Sequence, residues 1–97
     1  MSDASLWSLK GFTDHLDIWI KSESPDQDLI NLVTAWMLSR FEDPYQGVRR
    51  EPGFDNLWWG QVPLSIHDGT VVVCTYTIEE TTRTVTCRSI AALSWPV

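Results

Sequence analysis

The sequence predicts an α+β fold: an N-terminal helical hairpin packed on an antiparallel sheet of three to four strands. Three observations lead there. Apolar residues recur at helical spacing as far as about residue 42. Residues 45–55, YQGVRREPGFD, then break the pattern with two glycines and a proline, which reads as a long loop. Beyond it the chain is rich in Val, Thr, Ile, Tyr and Trp, the residues that suit a pleated surface. With 97 residues the chain suffices for one core, and it reads as a single domain over 1–97.

The first helix is expected over about 12–22. Phe12, Leu16, Trp19 and Ile20 fall on one face, with Asp14, Asp17 and Lys21 between them. Either Thr13 caps this helix or Phe12 begins it after a short extended piece at 6–9. The second helix is expected over about 25–42. Ser24 stands at the capping position, Pro25 at the first helical position and Gln27 where a capping box takes Glu or Gln. Asp26 and Asp28 then lie in the first turn, where the helix dipole favours negative charge. Leu29, Ile30, Leu32, Val33, Trp36, Met37 and Phe41 form its apolar stripe, and Arg40 falls inside that stripe with its head expected to reach solvent. Pro44 disfavours helical geometry at Asp43 and ends the segment. About four residues separate the helices, which favours an antiparallel pair.

Strands are expected over about 56–63, 70–79 and 82–91, with an Asp-Gly turn at Asp68-Gly69 between the first two. The last two contain VVVCTYTIEETTRTVTCRSI, which holds both cysteines. A two-residue turn at Glu80-Thr81 sets Tyr76 opposite Val85 and Cys74 opposite Cys87, on the face of Val72 and Ile78. The other face carries Thr75, Thr77, Thr84, Thr86 and Arg88, so the cysteine face is expected to be the core face. The cysteines then read as small buried hydrophobes, with a cross-strand disulfide as the alternative. No metal or cofactor is expected, because His15 and His67 are the two histidines and neither stands at a metal-ligand spacing.

Composition narrows the function. A net charge of −6 argues against general nucleic-acid binding, which needs Lys and Arg against phosphates. No apolar run approaches a membrane span, and the N-terminus lacks the pattern of a secretory signal. Two cysteines without such a signal point to the reducing cytoplasm. Motifs for nucleophilic catalysis and phosphate binding are absent. What remains is aromatic and basic. Trp58 and Trp59 are consecutive, so a strand sends them to opposite faces, one into the core and one to the surface. Trp95, near the C-terminus, either folds over that surface or adds to it. Arg49, Arg50, Arg83 and Arg88 are candidate contacts for an acidic partner or a phosphate backbone. The expected partner is a protein, docked on Trp58, Trp59 and Trp95 with Arg49, Arg50 and Arg88.

The stretch LVTAWMLSRFEDPYQGVRR resembles the second helix, its acidic-Pro stop and the following Gly-basic loop of the RelE/ParE superfamily of bacterial toxin-antitoxin toxins. TVVVCTYTI and RTVTCRSI are similar to that family's last two strands. The resemblance covers about 12–90 and implies a helical hairpin followed by an antiparallel sheet in a cytosolic protein. In members that cleave mRNA on the ribosome it implies basic side chains on the sheet, here Arg49, Arg50 and Arg88, with Tyr76. The strand position that usually holds arginine, three before the Tyr, is Val73, and the usual basic ending is replaced by AALSWPV. The expectation is therefore a RelE/ParE-like protein that binds another protein without catalysis. The alternatives are a ribosome-dependent mRNA endoribonuclease and a small phage or mobile-element inhibitor.

Overall fold

The computed structural model describes residues 6–94. In chain order the elements are β1 (Ser8–Lys10), α1 (Phe12–Glu23), α2 (Gln27–Leu38) with a 3-10 turn at Ser39–Phe41, β2 (Arg49–Arg50), β3 (Trp58–Gln61), β4 (Thr70–Glu79) and β5 (Thr84–Ser94). The sheet has five strands in the order β1-β5-β4-β3-β2. It is mixed, which corrects the expected antiparallel sheet of three to four strands: β1 lies parallel to β5, with Leu9 beside Val85. The short extended piece near residue 9 and the loop at 45–55 supply the two additional strands, both at edges.

The turn from β1 into α1 depends on Gly11. Its φ is +75°, and a Cβ there would stand 3.3 Å from the Cys87 carbonyl oxygen, so the bare backbone lets the chain cross β5 closely. At the other end of α1, Ser24 is left-handed (φ 47°) and its N–H bonds to the Ile20 carbonyl. Ser24 thus closes α1 and cannot take the extended N-cap conformation. Asp26 caps α2 instead, accepting from the Leu29 N–H at 2.9 Å, so α2 begins two residues later than expected.

Phe12 and Trp19 of α1, Val33 and Met37 of α2, and Val72, Cys74, Tyr76, Ile78, Val85, Cys87 and Ile90 of the sheet join in one core cluster. The helices therefore serve one face of the sheet. Both cysteines are buried and free on that face. They are not directly opposed, however: Cys74 pairs with Ile90 and Cys87 with Tyr76. Two features change the register. The β4–β5 connection has four residues, because Glu79 pairs with Thr84, and Arg83 takes a left-handed φ of 50°. A β-bulge then inserts Arg88 between Cys87, opposite Tyr76, and Ser89, opposite Thr75.

Gly60 sits on the inner face opposite Cys74, and a Cβ there would meet Val48 Cγ1 at 2.7 Å and Trp36 Cζ2 at 3.2 Å. Gly60→Ala is expected to cost about 1–3 kcal/mol through overpacking, read as a lower denaturant midpoint at unchanged m-value. A midpoint equal to wild type would show that Val48 and Trp36 yield freely.

Candidate functional site

The helix-free face of the sheet carries the candidate site. Alternation along β3, β4 and β5 sends Trp59, Gln61, Val71, Val73, Thr75 and Leu93 to this face, and the pairings Trp59–Thr75, Gln61–Val73 and Val71–Leu93 bring them together. They line a groove of about 290 Å³ whose rim includes Glu51 and Ser94. Leu93 is 52% exposed, while Val71 and Val73 form an apolar floor. The next row across the sheet runs Arg49, Trp59, Thr75, Ser89. The Arg49 guanidinium carbon lies 5.6 Å from the Trp59 ring centroid, within cation–π range. The Thr75 and Ser89 hydroxyls share a 2.6 Å hydrogen bond.

Arg88 stands exposed at the far end of this row, where the bulge leaves it beside Ser89. Three strand spacings separate it from Arg49, about 14 Å between backbones. The row thus has a cation at each end and an indole and two hydroxyls between them. Arg83 is not part of it: its guanidinium carbon lies 4.3 Å from the Trp7 ring centroid.

Three expected site residues lie elsewhere. Trp58 pairs with Tyr76 and faces the core side, packed edge-on against Tyr45 at 5.2 Å with its Nε1 donating to Asn56 Oδ1. Alternation separates it from Trp59, so the two tryptophans cannot form one docking surface. Arg50 pairs with Trp58 and is directed to the face opposite Arg49. Tyr76 is fully buried, its hydroxyl donating to the Pro44 carbonyl and accepting from Arg40, which puts it out of reach of a polynucleotide. Trp95 lies outside the described residues.

Sequence reasoning missed the polar cluster around Arg40. The side chain expected to reach solvent is 2% exposed. Its Nη1 donates to the Gln46 carbonyl at 2.8 Å and to the Tyr76 hydroxyl at 3.2 Å, Nη2 donates to Ser39 Oγ at 3.0 Å, and Cζ lies 4.2 Å from the Trp36 ring centroid. The carbonyl end of α2 favours a cation at this place. Arg40 was already visible within the apolar stripe, and that position was the signal for its burial.

The buried groups are poor candidates for catalysis. Burial pushes the Tyr76 hydroxyl up to about 12, with Arg40 pulling the other way. Hydrogen bonding to Cys87, and then burial, push the Cys74 thiol far above its ordinary range, so it stays protonated and unreactive. Among the described residues no cluster of His, Cys, Asp or Glu could hold a metal ion, and no helix is long and apolar enough to cross a membrane. Comparison with protein-family models, with curated proteins and with solved structures finds no match to this chain.

Proposed function

We propose that this chain is a RelE/ParE-like toxin-fold protein of the cytoplasm that acts by binding another protein, without catalytic activity. The observation that carries the reading is the Arg49–Trp59 pair above the groove of Val71, Val73 and Leu93 on the helix-free face. A half-buried indole beside an apolar groove, with one arginine stacked on it, is the kind of anchor that protein interfaces use. The family part of the reading is supported by element order, two consecutive helices followed by hairpin-connected strands, with the helices read as an antiparallel hairpin. Absence of catalysis is supported by the burial of Tyr76 and by Val73, an apolar residue, at the strand position where arginine is usual. The partner is a protein, an antitoxin-like segment or a cellular target, and the chain's −6 charge opposes nucleic acid.

Induced expression in a bacterial host tests this, with growth and mRNA integrity followed for wild type and for an Arg49/Arg50/Arg88 triple alanine variant. The expected result is intact mRNA in both; cleavage that depends on the arginines would overturn the reading in favour of the endoribonuclease. Trp59→Ala is expected to weaken capture of the partner about tenfold or more while leaving the thermal midpoint within a few degrees of wild type. Trp58→Ala, in contrast, should act mainly on stability, because its ring packs against Tyr45 on the core side.

A further inference from the structure

We propose that the partner contributes an extended acidic segment that adds as a sixth strand along the free edge of β2; this rests on the protein-binding reading above and gives it a binding mode. β2 is the last strand of the sheet, and among the described residues no strand lies beyond it. Its register defines what that edge offers. The Glu51 N–H donates to the Leu57 carbonyl at 2.7 Å, and Arg49 pairs with Trp59 two residues along. In an antiparallel ladder these are the hydrogen-bonded positions, so Arg50, opposite Trp58, is at a non-hydrogen-bonded one. The Arg50 N–H and C=O therefore point away from the sheet, presenting a donor and an acceptor to a neighbouring strand.

The side chains select the charge of that strand. Arg49 and Arg50 are both exposed and, being consecutive, stand on opposite faces of the edge. A strand that sets one residue opposite Arg50 sets the next opposite Arg49. Two consecutive carboxylates then meet one guanidinium each at cross-strand distance. The same two cations repel another copy of this edge, so the edge rejects self-pairing while accepting an acidic strand. This local pair of positive charges occurs in a chain with 13 acidic against 7 basic residues, so it contrasts with its surroundings. Beside it, a cavity of about 380 Å³ lined by Gly47, Arg49, Trp59, Gly60 and Gln61 has room for an apolar side chain of the added strand next to the Trp59 indole.

The test titrates 15N-labelled protein with the peptide acetyl-TVEEVT-amide, and with acetyl-TVQQVT-amide as the uncharged control. The expected result is amide shifts centred on residues 48–51 and slowed exchange of the Arg50 amide, with affinity about tenfold weaker for the uncharged peptide. Arg50→Pro removes the outward N–H together with the Arg50 charge, without touching the Arg49–Trp59 pair, and should bind about tenfold more weakly than Arg50→Ala, which removes the charge alone. Should that variant fold poorly, the acidic peptide N-methylated at its first glutamate removes the complementary donor from the other side and should bind about tenfold more weakly than the unmethylated peptide. Shifts confined to the Trp59–Leu93 groove, equal affinity of Arg50→Pro and Arg50→Ala, unchanged affinity of the N-methylated peptide, or no shifts at all would overturn the strand addition. Trp59→Ala separates the two ideas. If it loses partner binding while Arg50→Pro keeps it, the sheet face stands and the edge mode falls. If neither variant changes capture of the partner, both fall.

Discussion

Replacing Arg40 with alanine is expected to destabilise the protein by about 3 kcal/mol and lower its thermal midpoint by about 15 °C, measured by calorimetry or circular dichroism. Burial of a charge is costly. A guanidinium is always charged, and Arg40 is 2% exposed with no ion pair among the described residues. Neutral groups must therefore hold the charge. They are the Gln46 carbonyl, the Tyr76 and Ser39 hydroxyls and the Trp36 ring, at the carbonyl end of α2. Because Tyr76 also donates to the Pro44 carbonyl, the cluster joins the end of α2 and the 42–47 loop to the central strand β4. Arg40→Met keeps most of the bulk but leaves the Gln46 carbonyl without its donor, so it should lose about half as much. Arg40→Lys should recover little, since an ammonium cannot both stack on Trp36 and fork toward two acceptors. A midpoint for Arg40→Ala within about 3 °C of wild type would show that the buried cation costs as much as its partners return.

Alkaline pH is expected to remove about 3 kcal/mol of stability between pH 10 and 12 through Tyr76 alone. The folded hydroxyl titrates at about 12, raised from an ordinary 10.0 chiefly by burial. Between those values the unfolded chain has released the proton and the folded chain retains it. The unfolded state thus binds fewer protons, and stability falls as pH rises. The contribution is complete below pH 10 and lost on approach to 12. Cys74 acts in the same direction and begins earlier, because its thiol is raised from a lower ordinary value. Tyr45 is also raised to about 12, first by desolvation and then by its bond to Glu80, but it is 38% exposed and solvent screening weakens its share. Denaturant unfolding at pH 8, 10 and 11.5 would measure the fall. Tyr76→Phe, less stable at neutral pH, should lose the Tyr76 share of the slope from pH 10 to 12, about 1.4 kcal/mol per pH unit, and keep that of Cys74; an unchanged slope would assign the effect to other groups.

These two expectations concern the inner face of β4, whereas the proposed binding concerns its outer face. Alternation keeps them apart: Tyr76 and Cys74 point to the helices, Thr75 and Val73 to the groove. Substitutions at Arg40 or Tyr76 should therefore register in stability, and those at Trp59 or Arg49 in partner binding.

Local pattern was enough for both helices, for β4 at 70–79, for the burial of the cysteine face and for the opposite directions of Trp58 and Trp59. Each of these depends on periodicity or alternation, which act within a few residues. Arg88 on the helix-free side was legible for the same reason. Only the tertiary structure decided the rest. β1 is three residues long and pairs in parallel with a strand some 75 residues away, so no turn in the sequence announces it. The four-residue turn moved Cys87 from Cys74 to Tyr76, and the Arg88 bulge then set Cys74 opposite Ile90, because register is set by backbone geometry that many side chains tolerate. Ser24 lost the capping role to Asp26 through the left-handed closure of α1. Arg40 changed from a surface cation to a buried one when carbonyls of the following loop and the Tyr76 hydroxyl converged on it. Those partners lie 6 and 36 residues away, and only the folded chain brings them together.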